Sequence, residues 1–269
     1  TKMLEQLLEG IPQQARGFRA QIGLILGSGL GPFVDLIDRA QVISYTALPG
    51  FPRSGVVGHA GKLILGWVGP TPVAALQGRA HYYEHGNAAA MKAPIETLAA
   101  LGCKAVIVTN AGGSLTPDIP AGSVAMITDH INFTQASPLF GETGTKRFID
   151  MVDAYDPEMR VEFAALARRL DLDLRQGVYV WYSGPQFETP AEVRAGRALG
   201  GDIAGMSTVP DVILARYCGL KVAGFSIITN LGAGLSDEKL SHEHTMVKAR
   251  AAADKLFDLL QTYIAEYGG

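Results

Sequence analysis

An aromatic ring and a carboxylate stand side by side in Tyr182-Ser183-Gly184-Pro185-Gln186-Phe187-Glu188-Thr189-Pro190-Ala191-Glu192. A flat hydrophobe beside a carboxylate suits a flat, nitrogen-rich ligand: the ring stacks and the carboxylate accepts N–H hydrogen bonds. A buried loop Phe and a helix-capping Glu are the other reading of the same residues. A second group is Gly78-Arg79-Ala80-His81-Tyr82-Tyr83-Glu84. Alternation along an extended chain puts Arg79, His81 and Tyr83 on one side. A cation, an imidazole and a phenol there make an oxyanion and hydroxyl site, or simply a solvated strand end. A third is Gly27-Ser28-Gly29-Leu30-Gly31, where small residues let amide N–H groups converge on an anion. A dinucleotide fingerprint fits it poorly: the third glycine falls one residue early, and Pro32 occupies its place. No metal is signalled, since His242-Glu243-His244 lacks the His-Glu-x-x-His spacing.

Strand ends and helix starts must position these groups. Gly177 to Trp181 is β-branched and aromatic with no breaker, and predicts a strand. Thr189-Pro190-Ala191-Glu192 predicts a helix start, so Phe187 and Glu188 lie on the loop between, where open α/β sheets hold ligands. Gln21 to Leu26, Lys62 to Val68, Pro72 to Gln77, Lys104 to Asn110, Ser123 to Asn132 and Lys221 to Asn230 predict further strands. Two of these deliver an Asn, 110 and 230, to a strand's carboxyl end. Helices are expected over Leu4 to Leu8, Asn87 to Leu101 with a kink at Pro94, Pro157 to Leu170, Pro190 to Leu199, Val209 to Cys218 and His242 to Tyr263. Pro138 to Asp153 has no period and reads as a lid or interface loop. Alternating strands and helices without a linker predict one α/β domain over residues 1–269.

Of the 269 residues, 48% are hydrophobic and only 18% charged, enough for a sizeable core and suggestive of surface buried in an oligomer. A net charge of −3 and no run of Lys and Arg argue against nucleic acid as a partner. Cys103 and Cys218 sit in apolar settings and read as buried free thiols of a reducing compartment. Thr1 to Gly17 lacks the apolar core of a signal peptide, and no stretch has the length of a membrane span. A soluble, cytoplasmic chain is expected.

Read together and in order, several blocks resemble the trimeric class of purine nucleoside phosphorylases. They are Gly27-Ser28-Gly29-Leu30-Gly31, Phe51-Pro52, Gly58-His59-Ala60-Gly61, Arg79-Ala80-His81-Tyr82-Tyr83-Glu84 and Thr109-Asn110-Ala111. They continue through Asp129-His130-Ile131-Asn132, Gly184-Pro185-Gln186-Phe187-Glu188-Thr189, Gly205-Met206-Ser207-Thr208-Val209-Pro210, Thr229-Asn230 and Lys239-Leu240-Ser241-His242. The resemblance implies a mixed β-sheet flanked by helices, a homotrimer, and reversible phosphorolysis of ribosyl purines to free base and ribose 1-phosphate. It assigns phosphate binding to Ser28, His59, Arg79, His81, the Ala111 amide and Ser207. Ribose contacts fall to Tyr83, Met206, His242 and Phe148, the last lent to a neighbouring subunit's site. Base contacts fall to Phe187, Glu188, Asn230 and Tyr182. The chain departs from the family pattern in Gly55, where Thr is common, in His85, inserted between Glu84 and Gly86, and in Gly112 in place of alanine.

Phosphorolysis builds positive charge on the ribosyl ring and negative charge on the purine, so electrostatic positioning is most of the task. By resemblance Asn230 donates to purine N7, Glu188 accepts from N1–H, and no cofactor is needed beyond phosphate as co-substrate. A 6-oxopurine presents N1–H to Glu188, whereas adenine presents a lone pair; inosine and guanosine are therefore expected over adenosine. Methylthioadenosine or adenosine phosphorolysis, xanthosine admitted by Tyr182, and a non-catalytic nucleoside-binding protein are the alternatives.

Overall fold

The computed structural model describes residues 8–53, 60–236 and 242–267. Its centre is Ile22–Leu26 (β1), apolar but for Gly23 and buried at all five positions. Thr71–Gln77 (β4) and Ala105–Ser114 (β5) flank it, both parallel to it. A strand covered on both faces and both edges has no polar side to present, hence its unbroken apolar run. Asp38–Ser44 (β2), Lys62–Val68 (β3) and β4 form an antiparallel meander at one edge. Beyond β5 lie Val124–Ile131 (β6), Leu174–Trp181 (β7), Ile203–Gly205 (β8) and Lys221–Leu231 (β9), in the order β2-β3-β4-β1-β5-β8-β7-β6-β9. Because β9 also pairs in parallel with β5, the strands β5, β8, β7, β6 and β9 close into a ring.

Among the described residues six helices cover this mixed sheet: Tyr82–His85 (α1), Lys92–Ala100 (α2), Pro157–Arg169 (α3), Pro190–Ala198 (α4), Val209–Tyr217 (α5) and His242–Tyr267 (α6). Strand alternation divides the core between two faces. Ile25, Val106 and Val108 join Ile95 and Leu98 of α2 and Val212 of α5 in one cluster. Ile22, Leu24, Leu26 and Ile107 join Phe163 of α3 and Leu256 and Leu260 of α6 in another. Local chemistry starts the helices where the sequence predicts: Asp156 Oδ1 accepts from Met159 N–H at 3.0 Å ahead of Pro157, and Thr189 and Glu192 form a capping box around Pro190.

Four elements differ from expectation. The second helix begins at Lys92 rather than Asn87, so Pro94 falls in its first turn, where its missing N–H costs nothing, and no interior kink is needed. β5 continues past Asn110 to Ser114 because β8 and β9 supply ladder partners for Gly113 and Ser114. β2 escaped notice because it is an exposed edge with only Ile43 buried, and β8 because it is three residues long. The helix expected over Leu4 to Leu8 and the departure at Gly55 lie outside the described residues. Pro138 to Asp153 is irregular as expected, apart from a short 3-10 turn at Thr145–Arg147. Among the described residues, no helix is long and apolar enough to cross a membrane, and Cys103 and Cys218 are free thiols.

Candidate active site

A cavity of about 170 Å3 opens at the carboxyl ends of β1, β4, β5 and β9. Ser28, Arg79, His81, Tyr83, Ala111, Phe187, Glu188, Met206, Ser207 and Asn230 all line it, residues expected from six separate blocks of sequence. Asn110, Gly112, Gly113, Ala204, Gly205 and Thr229 complete the wall.

Arg79 follows the end of β4 and is 1% exposed. Its Nη1 donates to Ser207 Oγ at 2.7 Å and to Thr208 Oγ1 at 3.2 Å, and its Nη2 to Thr109 O at 2.9 Å. Its Nε lies 3.3 Å from Asp211 Oδ2, in the first turn of α5. A buried guanidinium needs such a set of oxygens, because removal from water is offset only by good pairing. Burial pushes the Asp211 carboxyl up and the Arg79 charge draws it back. The extended backbone continues through His81, at φ −104° and ψ 150°, so Arg79 and His81 share one side, and the first turn of α1 brings Tyr83 beside them. The His81 ring stacks on Tyr83 with centroids 4.9 Å apart, and its backbone N–H donates to Glu84 Oε1 at 2.6 Å. Ser28 is carried by the turn after β1. There the Gly27 N–H reaches Thr109 Oγ1 at 3.2 Å, and a Cβ on Gly27 would stand 2.6 Å from Thr109 O. Only glycine lets this loop lie so close to β5.

The Phe187 ring is 81% exposed on the connection between β7 and α4. Glu188 beside it is half-buried, and that burial raises its pKa, its own backbone N–H draws it back, and Glu192 raises it again. Asn230 near the end of β9 has its amide orientation fixed: Oδ1 accepts from Thr229 Oγ1 at 2.7 Å and Nδ2 donates to Leu231 O at 3.0 Å. An Nδ2 carries two hydrogens, so the group keeps donor capacity for a ligand. Gly184 has φ +66°, and a Cβ there would collide with the Met206 sulfur, so only glycine brings this loop against Met206 and Tyr83.

Two of the expected residues that are described, Tyr182 and Phe148, stand apart from this cavity. Tyr182 is buried among Leu115, Val180 and Val193, and its hydroxyl donates to Glu192 O at 3.1 Å. Burial, then the charges of Glu188 and Glu192, push that phenol up to about 12. Its contacts therefore turn it toward α4 instead of the cavity. Phe148 is 77% exposed at the end of the Thr145–Arg147 turn, under the Arg147 guanidinium, and is not part of its own chain's cavity wall. Its loop is tied to the body through Glu142, which pairs with Lys92 and accepts from Tyr217 at 3.3 Å. His59 lies outside the described residues, as does the side chain of His242.

The sequence reading missed the groups that hold Arg79. Asn110, on the cavity wall, and Thr208 and Asp211 behind it are buried and meet Arg79 or one another across the fold. Asn110 had a signal, since it ends an apolar strand as Asn230 does. Thr208 and Asp211 had none. No group of three or more His, Cys, Asp or Glu side chains stands together as a metal site among the described residues.

Known proteins agree with this geometry. Residues 21–265 match the family model for the phosphorylase superfamily. Over 250 residues the chain is 42% identical to purine nucleoside phosphorylase 1 of Bacillus subtilis, with 92% of each chain covered. It is 40% identical over 257 residues to the purine nucleoside phosphorylase of Bos taurus, covering 92% of this chain and 89% of that one. Among solved structures, isoform 2 of the Schistosoma mansoni purine nucleoside phosphorylase, in complex with cytosine and ribose-1-phosphate, superposes with a TM-score of 0.90. That similarity is at 33% identity over 98% of this chain and 96% of that one. A Schistosoma mansoni purine nucleoside phosphorylase in complex with adenosine gives 0.89 at 33% identity, over 98% and 97%. With the family model matched over residues 21–265 and relatives at about 40% identity over most of the length, the chain belongs to the purine nucleoside phosphorylases, a family of enzymes in the phosphorylase superfamily.

Proposed function

We propose that this chain catalyses the reversible phosphorolysis of 6-oxopurine nucleosides such as inosine and guanosine, yielding free base and ribose or deoxyribose 1-phosphate in purine salvage. One observation carries the reading: a single cavity gathers Ser28, Arg79, His81 and Ser207 together with Glu188 and Asn230. The first four are donors suited to a phosphate, and Arg79 brings a planar cation that stays charged. The other two read a purine edge. Phosphate bound below the ribosyl carbon stabilises the cationic sugar and then bonds to it. The glycosidic electron pair leaves with the base, and the Asn230 amide stabilises the charge that builds at N7. Glu188, as carboxylate, accepts N1–H of a 6-oxopurine. Tyr83 and Met206 hold the ribose.

Inorganic phosphate is the co-substrate, and the reaction in this reading needs no cofactor or metal, because the charges that develop are met by phosphate, amide and guanidinium. Phe148 supports a homotrimer: an exposed aromatic on a loop held in place by Glu142 is available to cap a neighbour's site. With the family resemblance, that is the basis for trimer and shared Phe. A cytoplasmic location is the accompanying expectation.

The test is release of free base at saturating phosphate from inosine, guanosine, adenosine, methylthioadenosine and xanthosine. Inosine and guanosine are expected to lead. Xanthosine is expected to be poor, since the Tyr182 hydroxyl is engaged by Glu192 O. Faster turnover of adenosine or methylthioadenosine would overturn the assignment of Glu188 and Asn230.

A further inference from the structure

Ser207-Thr208-Val209 joins β8 to α5 by a turn in which Val209 N–H reaches Ser207 O at 2.8 Å. The central residue, Thr208, has φ 71° and ψ −53°. This is the γ-turn with positive φ, a rare and strained form, and a β-branched residue makes it harder still. Among the described residues the other non-glycine positions with positive φ are Arg39, Gln135, Asp153 and Asp171, all exposed and none β-branched. Thr208 is wholly buried. Strain of this kind persists where the surroundings over-determine it, and it gathers at functional sites.

What holds Thr208 is its hydroxyl. Oγ1 accepts from Asn110 Nδ2 at 2.9 Å and from Arg79 Nη1 at 3.2 Å, and it lies 3.1 Å from Ser207 Oγ. A hydroxyl has two lone pairs and one hydrogen. Neither the amide nor the guanidinium nitrogen can accept, so both lone pairs of Thr208 are engaged, and its hydrogen faces Ser207 Oγ and the Tyr179 phenol, which meets both hydroxyls. Ser207 Oγ accepts from Arg79 Nη1 at 2.7 Å, and Ser207 lines the cavity. The Ser207 amide is fixed separately, donating to the Tyr179 hydroxyl at 3.2 Å.

We propose that Thr208 is a positioning residue for the anion: its strained turn and hydroxyl hold Arg79 and Ser207 in place at the cavity wall. The inference rests on the reading of Ser207 and Arg79 as phosphate ligands. Thr208 touches no substrate itself. It acts on phosphate and not on the nucleoside, which a general packing role would not do.

The experiment uses the full chain and reads KM for phosphate, KM for inosine and kcat, with inorganic phosphate binding followed in parallel by calorimetry. Thr208→Val removes the hydroxyl and keeps the branched shape. Thr208→Gly removes it while relieving the positive φ, so at least one of the two folds. Thr208→Ser keeps the hydroxyl. Loss of a hydrogen bond to a charged group weakens binding by roughly ten- to a hundredfold, so KM for phosphate should rise about tenfold or more in the Val and Gly variants. KM for inosine should stay within about twofold, and Thr208→Ser should recover most of the phosphate affinity. Unchanged phosphate KM in the folded Val or Gly variant, with Ser207→Ala impaired, overturns the role of Thr208 alone. A parallel rise of both KM values does the same. If Ser207→Ala itself binds phosphate normally, the phosphate reading fails and this inference falls with it.

Discussion

Arg79 is 1% exposed and engaged by Ser207, Thr208, Thr109 and Asp211, whereas Phe187, on the wall of the same cavity, is 81% exposed beside a half-buried Glu188. The first group is carried by strand ends and the start of α5, the second by the connection between β7 and α4. In the proposed reading the anion side is set before any ligand arrives, with Arg79 and Ser207 already held by oxygens or nitrogens of the protein. Such preorganisation matters most where charge must be stabilised without rearrangement. The base-reading side has area still to bury, and an exposed ring gains on the order of 25 cal/mol per Å2 when a flat ligand covers it. Phosphate is thus met by electrostatics already in place, and the purine by surface that its own binding covers.

Breaking the preset side should cost most. Arg79→Met removes the cation and leaves the Asp211 carboxyl buried without its partner. Removing one member of a buried pair destabilises by about 3–5 kcal/mol, which thermal or urea unfolding will read. The loss of two or more charge-assisted bonds to phosphate lowers kcat/KM for phosphate by about a hundredfold or more. An Arg79→Met enzyme with ordinary phosphate kinetics would erase the distinction between the two sides.

Glu188→Gln is the smaller change, and it sharpens the comparison because it strikes only the base. Hypoxanthine affinity should fall about tenfold, with phosphate affinity unchanged. The wild-type carboxyl is raised above its ordinary value by burial. As a carboxylate it accepts N1–H more strongly than as the neutral acid, so hypoxanthine binding is tightest above the raised pKa and weakens as pH falls through it, at a higher pH than for an exposed glutamate. Titration of hypoxanthine binding against pH should show this acid limb in the wild type and lack it in Glu188→Gln. A limb that survives the substitution would assign it to another group.

The lining of the cavity was legible because it sits where apolar runs end. β1, β4, β5 and β9 announce themselves as buried strands; Ser28 and Arg79 lie just past two of them, and Ala111 and Asn230 toward the ends of the other two. Alternation carried Arg79 and His81 to one side because the chain stays extended through His81, and the first turn of α1 adds Tyr83. The supporting layer was not legible. Thr208 meets Asn110 across 98 residues of sequence and Arg79 across 129, and no local pattern encodes such a meeting. Nor does a sequence disclose that a threonine will take positive φ, since its type argues against it. Tyr182 misled for a related reason: its position next to the loop is apparent, while the carbonyl of Glu192 that engages its hydroxyl comes from the following helix.

The most direct measurement is hypoxanthine release from inosine with and without inorganic phosphate. The cavity that joins Arg79, Ser28, His81 and Ser207 to Glu188 and Asn230 predicts release that requires phosphate and yields ribose 1-phosphate in equal amount. Release that proceeds at the same rate in phosphate-free buffer, with free ribose as product, would contradict it.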